Sequence, residues 1–288
     1  MSGKTVESAP ATIVGAMTSD APTISLAVIG GGNMGVALAG GLLNTGWITA
    51  GQLAIVEVVA PLREQLVARF PGATISDTVP PCAAAVIAVK PPDAPAAAAA
   101  ASAAGAKRLV SVAAGVTIAA LEAAAGPGVT VVRTIPNTPA LVGLGGAGLA
   151  GGTTATADDI EWARSILAAV GIVEVVPEYQ LDAVTGLIGS GPAYLFLVAE
   201  AMIDAGVLVG LTRPAATALV TQLFRGSAEM LHRQGDPTAL RAQVTSPGGT
   251  TAAGLQALED RAVRAAFQAA VVAATARSRE LGRPSKDS

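Results

Sequence analysis

At 288 residues the chain has room for two domains, and 51% apolar against 14% charged residues gives it the material for a sizeable core. A net charge of -3, with no basic patch interleaved with aromatics, argues against a nucleic-acid partner. The single cysteine, Cys82, excludes an internal disulfide, and no charged start, apolar stretch and small-residue cleavage pattern opens the chain, so a reducing cytoplasm is the expected compartment.

Aromatics make up only 3% of the chain, so its apolar content is largely alanine, valine and leucine, which suit close helix packing. The apolar runs are broken by Gly, Pro or charge before they reach spanning length, and no membrane insertion is expected. Residues 1–23, rich in Ser, Thr, Pro and Gly without apolar periodicity, read as a mobile extension. From Ile24 a short apolar run, a glycine turn, a helical pattern over Met34 to Thr45 and a second apolar run over Leu53 to Val56 spell the start of a βαβ unit.

A helix is expected over Arg63 to Phe70, and further strands over Ala73 to Ile75, Ala85 to Val89, Arg108 to Val112, Val129 to Arg133, Ala147 to Leu149 and Ile172 to Val176. Short strands alternating with helical patterns imply a mostly parallel, doubly wound sheet of the Rossmann type over residues 24–178. Beyond about Tyr179 the strand signals stop. Helices are expected over Ser190 to Val209, Pro214 to Arg233, Thr238 to Val244 and Thr250 to Leu281, giving an all-helical domain over 179–288. The segment from Pro192 to Gly210 is apolar nearly all round, which points to a homodimer whose helices cover each other, with a tight monomeric bundle as the alternative.

Gly30, Gly32 and Gly35 satisfy G-x-G-x-x-G between a strand and a helix, with Gly31, Asn33 and Met34 between them. Gly30 allows the tight turn, Gly32 lets a pyrophosphate approach the backbone, and Gly35 lets helix and strand pack closely. Glu57 ends the second strand, where an acid binds the adenosine ribose hydroxyls of NADH and repels the 2′-phosphate of NADPH. Arg63 offers a competing positive charge, and a solvated strand-end glutamate is the plainer alternative. Ala88-Val89-Lys90-Pro91 and Ala113-Ala114-Gly115 follow apolar runs, so they lie at strand ends, the ligand edge of an open parallel sheet. Lys90 there faces coenzyme or is an ordinary surface lysine.

Far downstream, Thr245-Ser246-Pro247-Gly248-Gly249-Thr250-Thr251 opens a helix, leaving backbone N–H groups bare at its positive end for a carboxylate or phosphate. The alternative is a plain N-cap with Thr250 as the capping hydroxyl. Ser190 reads as a helix cap before Pro192, and Asn137 sits in a proline-flanked loop where it bridges backbone or borders the cleft. His232, the only histidine, is expected to be structural or exposed. A coenzyme turn at one end and an anion turn at the other imply delivery of hydride to a small acid.

Those motifs, with Pro136-Asn137-Thr138-Pro139-Ala140, Leu181-Asp182-Ala183-Val184-Thr185-Gly186-Leu187 and Gly189-Ser190-Gly191-Pro192-Ala193-Tyr194, strongly resemble the pyrroline-5-carboxylate reductase family over about Leu26 to Leu281. The resemblance implies a Rossmann domain, an interleaved helical dimerisation domain, in some members a decamer built of dimers, and NAD(P)H-dependent reduction of a cyclic imine to L-proline. It implies substrate contacts from Ser246 and Gly248 to Thr251, with Thr251 the main polar side chain at the imine. It also implies that Glu178 contacts ligand and that Gln243 and Asn137 lie near the coenzyme and the cleft. Relatives that use NADPH often carry Ser or Thr where Glu57 stands, so this chain departs from them at that place. Competing readings are a reductase of another cyclic imino acid, a 3-hydroxyacid-type dehydrogenase, and a coenzyme-binding protein without chemistry. The second usually needs a lysine on the helix after Gly191, and none is there.

Overall fold

A computed structural model describes residues 24–282, so the extension expected over 1–23 lies outside the described residues. Eight strands form one sheet: β1 (Ile24–Ile29), β2 (Leu53–Val56), β3 (Thr74–Ser76), β4 (Cys82–Ile87), β5 (Arg108–Ser111), β6 (Thr130–Pro136), β7 (Gly145–Gly151) and β8 (Gly171–Val175). Their order is β3-β2-β1-β4-β5-β6-β7-β8, and the first six are parallel in the arrangement of a dinucleotide-binding sheet. The expected parallel sheet therefore carries one reversal. β7 runs antiparallel to β6, and β8 runs parallel to β7.

Period-2 alternation sends β1 side chains to two cores. Leu26 and Val28 join α1 (Asn33–Asn44), α2 (Ala60–Arg69) and α5 (Ala157–Ala168) on one face, while Ala27 and Ile29 join α3 (Ala94–Ala103) and α4 (Ile118–Ala125) on the other. Helix α3 shows why an alanine run suffices. Ala94, Ala97, Ala98 and Ala101 are buried at helical spacing, and their small side chains let the helix lie close to the sheet. Each large side chain such as Leu26, Leu53 or Leu109, all buried, contributes about 1.5–3 kcal/mol by leaving water. Cys82 is buried at the start of β4, and burial pushes its thiol pKa up, leaving an inert packing residue. At the start of β5, Arg108 Nε pairs with Asp159 Oδ1 at 2.7 Å, and Asp159 Oδ2 accepts from Thr156 N at 3.0 Å in a capping box on α5.

The helical half begins with α6 (Leu181–Val184), which passes through a π turn at Thr185–Gly189 into α7 (Gly191–Leu208). Helices α8 (Arg213–Gln234), α9 (Pro237–Gln243), α10 (Thr250–Glu259) and α11 (Val263–Leu281) follow. Two expectations need correction. Ser190 is in right-handed helical conformation and caps nothing, because the π turn feeds α7 without a break. The single helix expected over Thr250 to Leu281 is two, broken where Ala262 takes φ 54°. No glycine or proline signals that corner. Instead Arg261 N and Ala262 N bond three residues back, to Leu258 O and Glu259 O, tightening the last turn, and Arg264 Nε bridges the bend to Glu259 Oε1 at 2.7 Å.

The continuous helical stretch Glu178–Leu208 is 31 residues long, and by length and composition alone it is apolar enough to cross a membrane, against the expectation that no run reaches spanning length. Only 6% of its most apolar window is buried within the chain. Leu195, Phe196, Leu197 and Leu208 all stand exposed.

Candidate active site

The glycine turn sits where the strand order reverses, between β1 and β4, at the carboxyl edge of the sheet. Gly30 has φ 111°, and a Cβ there would strike the Ala88 carbonyl, so only glycine fits. A Cβ on Gly35 would strike the Gly30 carbonyl, which is the close helix–strand approach expected of it. Gly32, by contrast, faces open space and is the N-cap of α1, with no side chain capping the helix and no acid in its first turn. Asn33 is exposed and Met34 half-buried beside it. The turn thus presents bare N–H groups with room for a phosphate, so the residues present fit the pyrophosphate of a dinucleotide.

Glu57 follows β2 and is 9% exposed. Its Oε2 accepts from Gly31 N at 3.0 Å and its Oε1 from Val59 N at 2.9 Å, so the acid fixes the glycine turn directly. Arg63 does not pair with it. Its guanidinium donates instead to Glu57 O and Val58 O, each at 2.8 Å, and lies 3.7 Å from Asp77. Lys90 is exposed at the end of β4, just past Ala88 and Val89, where Pro91 opens a short turn, and it makes no ion pair among the described residues. Ala113, Ala114 and Gly115 follow β5 on the same edge.

Asn137 follows β6. Its Oδ1 accepts from Gly146 N at 2.9 Å, bridging backbone as one reading expected. It also lines an apolar groove of about 430 Å³ between the sheet edge and the helical half, with Tyr194, Phe196, Phe267 and Val271.

The downstream run is a helix start without a cap. Gly248 turns the chain with φ 67°, Gly249 is the N-cap of α10, and no side chain bonds the first-turn N–H groups. Thr250 is the first helical residue and does not cap, which removes the plainer alternative. Thr251 is half-buried, whereas Ser246, Gly248 and Thr250 are exposed, and so is Gln243 at the end of α9. Among the described residues, no hydrogen bond joins this run to the sheet half. His232 is exposed in the last turn of α8.

Glu178 is half-buried just after β8. Its Oε1 accepts from Ile118 N at 2.7 Å and from Arg133 Nη1 at 3.0 Å. Arg133 is 4% exposed on β6, and its Nε is buried without a partner. Sequence reading passed over this arginine, although a lone charge inside the apolar strand Thr-Val-Val-Arg-Thr-Ile-Pro was a visible signal.

A switch-point glycine turn beside a helical half with its own anion-ready helix start defines an NAD(P)H-dependent oxidoreductase, and residues 25–115 match the family described as NADP oxidoreductase coenzyme F420-dependent. Residues 178–281 match the family described as pyrroline-5-carboxylate reductase dimerisation. The chain is 43% identical to a pyrroline-5-carboxylate reductase of Mycobacterium leprae, over 89% of this chain and 96% of that protein. It is 39% identical to one of Methanosarcina acetivorans, over 88% and 97%. The solved pyrroline-5-carboxylate reductase of Coxiella burnetii superimposes with a TM-score of 0.84 at 32% identity, covering 91% of this chain and all of that one. That of Plasmodium falciparum, with NADP bound, gives 0.77 at 31% identity over 91% and 100%. The chain belongs to the pyrroline-5-carboxylate reductase family.

Proposed function

We propose that this chain reduces 1-pyrroline-5-carboxylate to L-proline, the last step of proline biosynthesis, with NAD(P)H as coenzyme. The observation that carries the reading is the pair of uncapped helix starts, α1 behind Gly32 and α10 behind Gly249, in a member of this family. NAD(P)H supplies the hydride that reduces the C=N bond to CH–NH. Residues 24–178 hold the coenzyme through Gly30, Gly32, Asn33, Met34, Gly35 and Glu57. Ala88 to Pro91, Ala113 to Gly115, Asn137 and, from the helical half, Gln243 complete its surroundings.

Residues 179–288 supply the anion site. N–H groups from Gly249 into the first turn of α10 hold the substrate carboxylate, helped by Ser246 and Gly248, and the Thr251 hydroxyl bonds the ring nitrogen. An imine protonated in solution is already a strong electrophile, so orientation supplies most of the acceleration and no strong side-chain acid is needed. Exposed His232 accordingly has no part in the scheme.

Glu57 favours the coenzyme without a 2′-phosphate. Each of its oxygens accepts one backbone N–H and keeps a second lone pair for a ribose hydroxyl, while Arg63 is held on backbone carbonyls. The exposed apolar face of α7 is covered by a second copy of the chain rather than by lipid. Glu200 and Asp204 interrupt that stretch, and Asp204 pairs with Arg213 at 2.7 Å. Dimers, decamers built from them and a cytoplasmic location complete the reading. Steady-state oxidation of NADH and of NADPH with pyrroline-5-carboxylate tests it: turnover with either supports the reaction, and folded, dimeric protein without turnover on either overturns it.

A further inference from the structure

The helical half grips one loop of the sheet half at both of its ends. Glu178, from which the chain passes into the helical half, accepts from Ile118 N at the start of α4, and Ile118 ends the loop carrying Ala113, Ala114 and Gly115. Its last described residues close on the same loop. A Cβ on Gly115 would sit 3.5 Å from Leu281, and one on Gly282 would sit 3.1 Å from Gly115 O. Ser278 Oγ donates to Asp182 Oδ1 at 2.7 Å, locking the end of α11 to α6 and so to the segment that begins at Glu178. Arg133, rooted in β6, holds the same Glu178 oxygen from below.

We infer that Glu178 is a positioning residue for hydride transfer, tethering the Ala113–Gly115 loop to the helical half through Ile118 N, with Arg133 fixing its carboxylate. The inference rests on the reading that this loop borders the nicotinamide, and it replaces a ligand contact at Glu178. The geometry favours a tether for two reasons. Both hydrogen bonds converge on one oxygen, and the Arg133 guanidinium is too deeply buried to be released at low cost. Loss of the tether lets the loop drift, and displacement on the scale of 1 Å costs about 100-fold in a reaction that depends on orientation.

The test uses full-length protein and separates kcat from KM. Since Glu178→Gln keeps an oxygen for both donors, it is expected to stay within about 3-fold of the parent in kcat, while Glu178→Ala falls about 10- to 100-fold with the imine KM changed by less than about 3-fold. Arg133→Lys, which keeps the buried charge but loses the fork, is expected to lower kcat about 5-fold or more in the same pattern. Should Glu178→Ala not fold, the glutamine and lysine variants decide. A raised imine KM with kcat preserved in Glu178→Ala assigns the carboxylate to the substrate and overturns the inference. So does a glutamine variant as slow as the alanine one, or a lysine variant with unchanged kcat and lowered melting temperature. Failure of the parent protein to turn over breaks the underlying functional reading instead.

Discussion

The sheet half buries most of its apolar strand residues within its own chain, the edge strand β8 excepted, whereas the 18-residue helix α7, just as rich in apolar side chains, buries none. The difference shows two ways of specifying structure. Strands β1, β4 and β5 are sandwiched between helices of the same chain, so their sequence is complete in itself. Helix α7 carries the composition of a core without one in its own chain, the feature on which the proposed covering by a second copy rests.

Replacing Gly30 by alanine breaks the self-sufficient half at its functional edge, and the largest effect is expected there. The new Cβ strikes the Ala88 carbonyl at a φ of 111°, so NADH affinity by fluorescence titration should fall about 100-fold or more as the turn is forced open. In the other half, Thr251→Ala removes a hydroxyl that caps nothing; kcat/KM should drop about 10- to 100-fold with an unchanged melting temperature. Equal activity in both forms would end the claim for Thr251.

Phe196→Glu sharpens the contrast between the halves. Phe196 is 67% exposed in the single chain, so a charge there costs the isolated fold little but should move sedimentation from dimer towards monomer. A dimer of unaltered strength would show that another face is covered. Glu57→Ser tests coenzyme choice within the sheet half: the ratio of kcat/KM for NADPH over NADH should rise about 10-fold. A flat ratio would place selectivity elsewhere.

The smallest effect belongs to pH. Asp159 titrates below the ordinary carboxylate range, first because Thr156 N donates to it and then because Arg108 is paired with it, against the opposing effect of burial. A depressed pKa stabilises above the unfolded value of about 3.9, and that contribution is lost as pH falls through the folded value. Asp159→Asn should therefore flatten the acid limb of a melting-temperature profile below about pH 4 while leaving activity at neutral pH intact.

Much of the sheet was legible because its signals are local. Gly30 and Gly35 are demanded by contacts within one turn, and all eight strands fall within a few residues of their expected places. The reversal at β7 was not legible, because Gly145–Gly151 carries the same small-residue pattern whichever way it runs. Nor was the corner at Ala262, where tightened backbone bonds and the Arg264–Glu259 pair turn the chain without a breaker residue. The uncapped start of α10 was legible in two glycines, but the hydrogen-bond partners of Glu178 were not. Its partners, Ile118 and Arg133, lie 60 and 45 residues away in sequence, beyond the reach of any motif.

The position of α7 in the chain carries a consequence for synthesis. The last strand ends at Val175, so the whole sheet can close before the most exposed apolar helix has been made. At a typical 5–20 residues per second, the roughly 33 residues from Val175 to Leu208 take about 2–7 s to add, a head start for the sheet before the bare helix is complete. The order of the chain places the stickiest surface after every strand and every sheet-covering helix, when the partners of the sheet are already made.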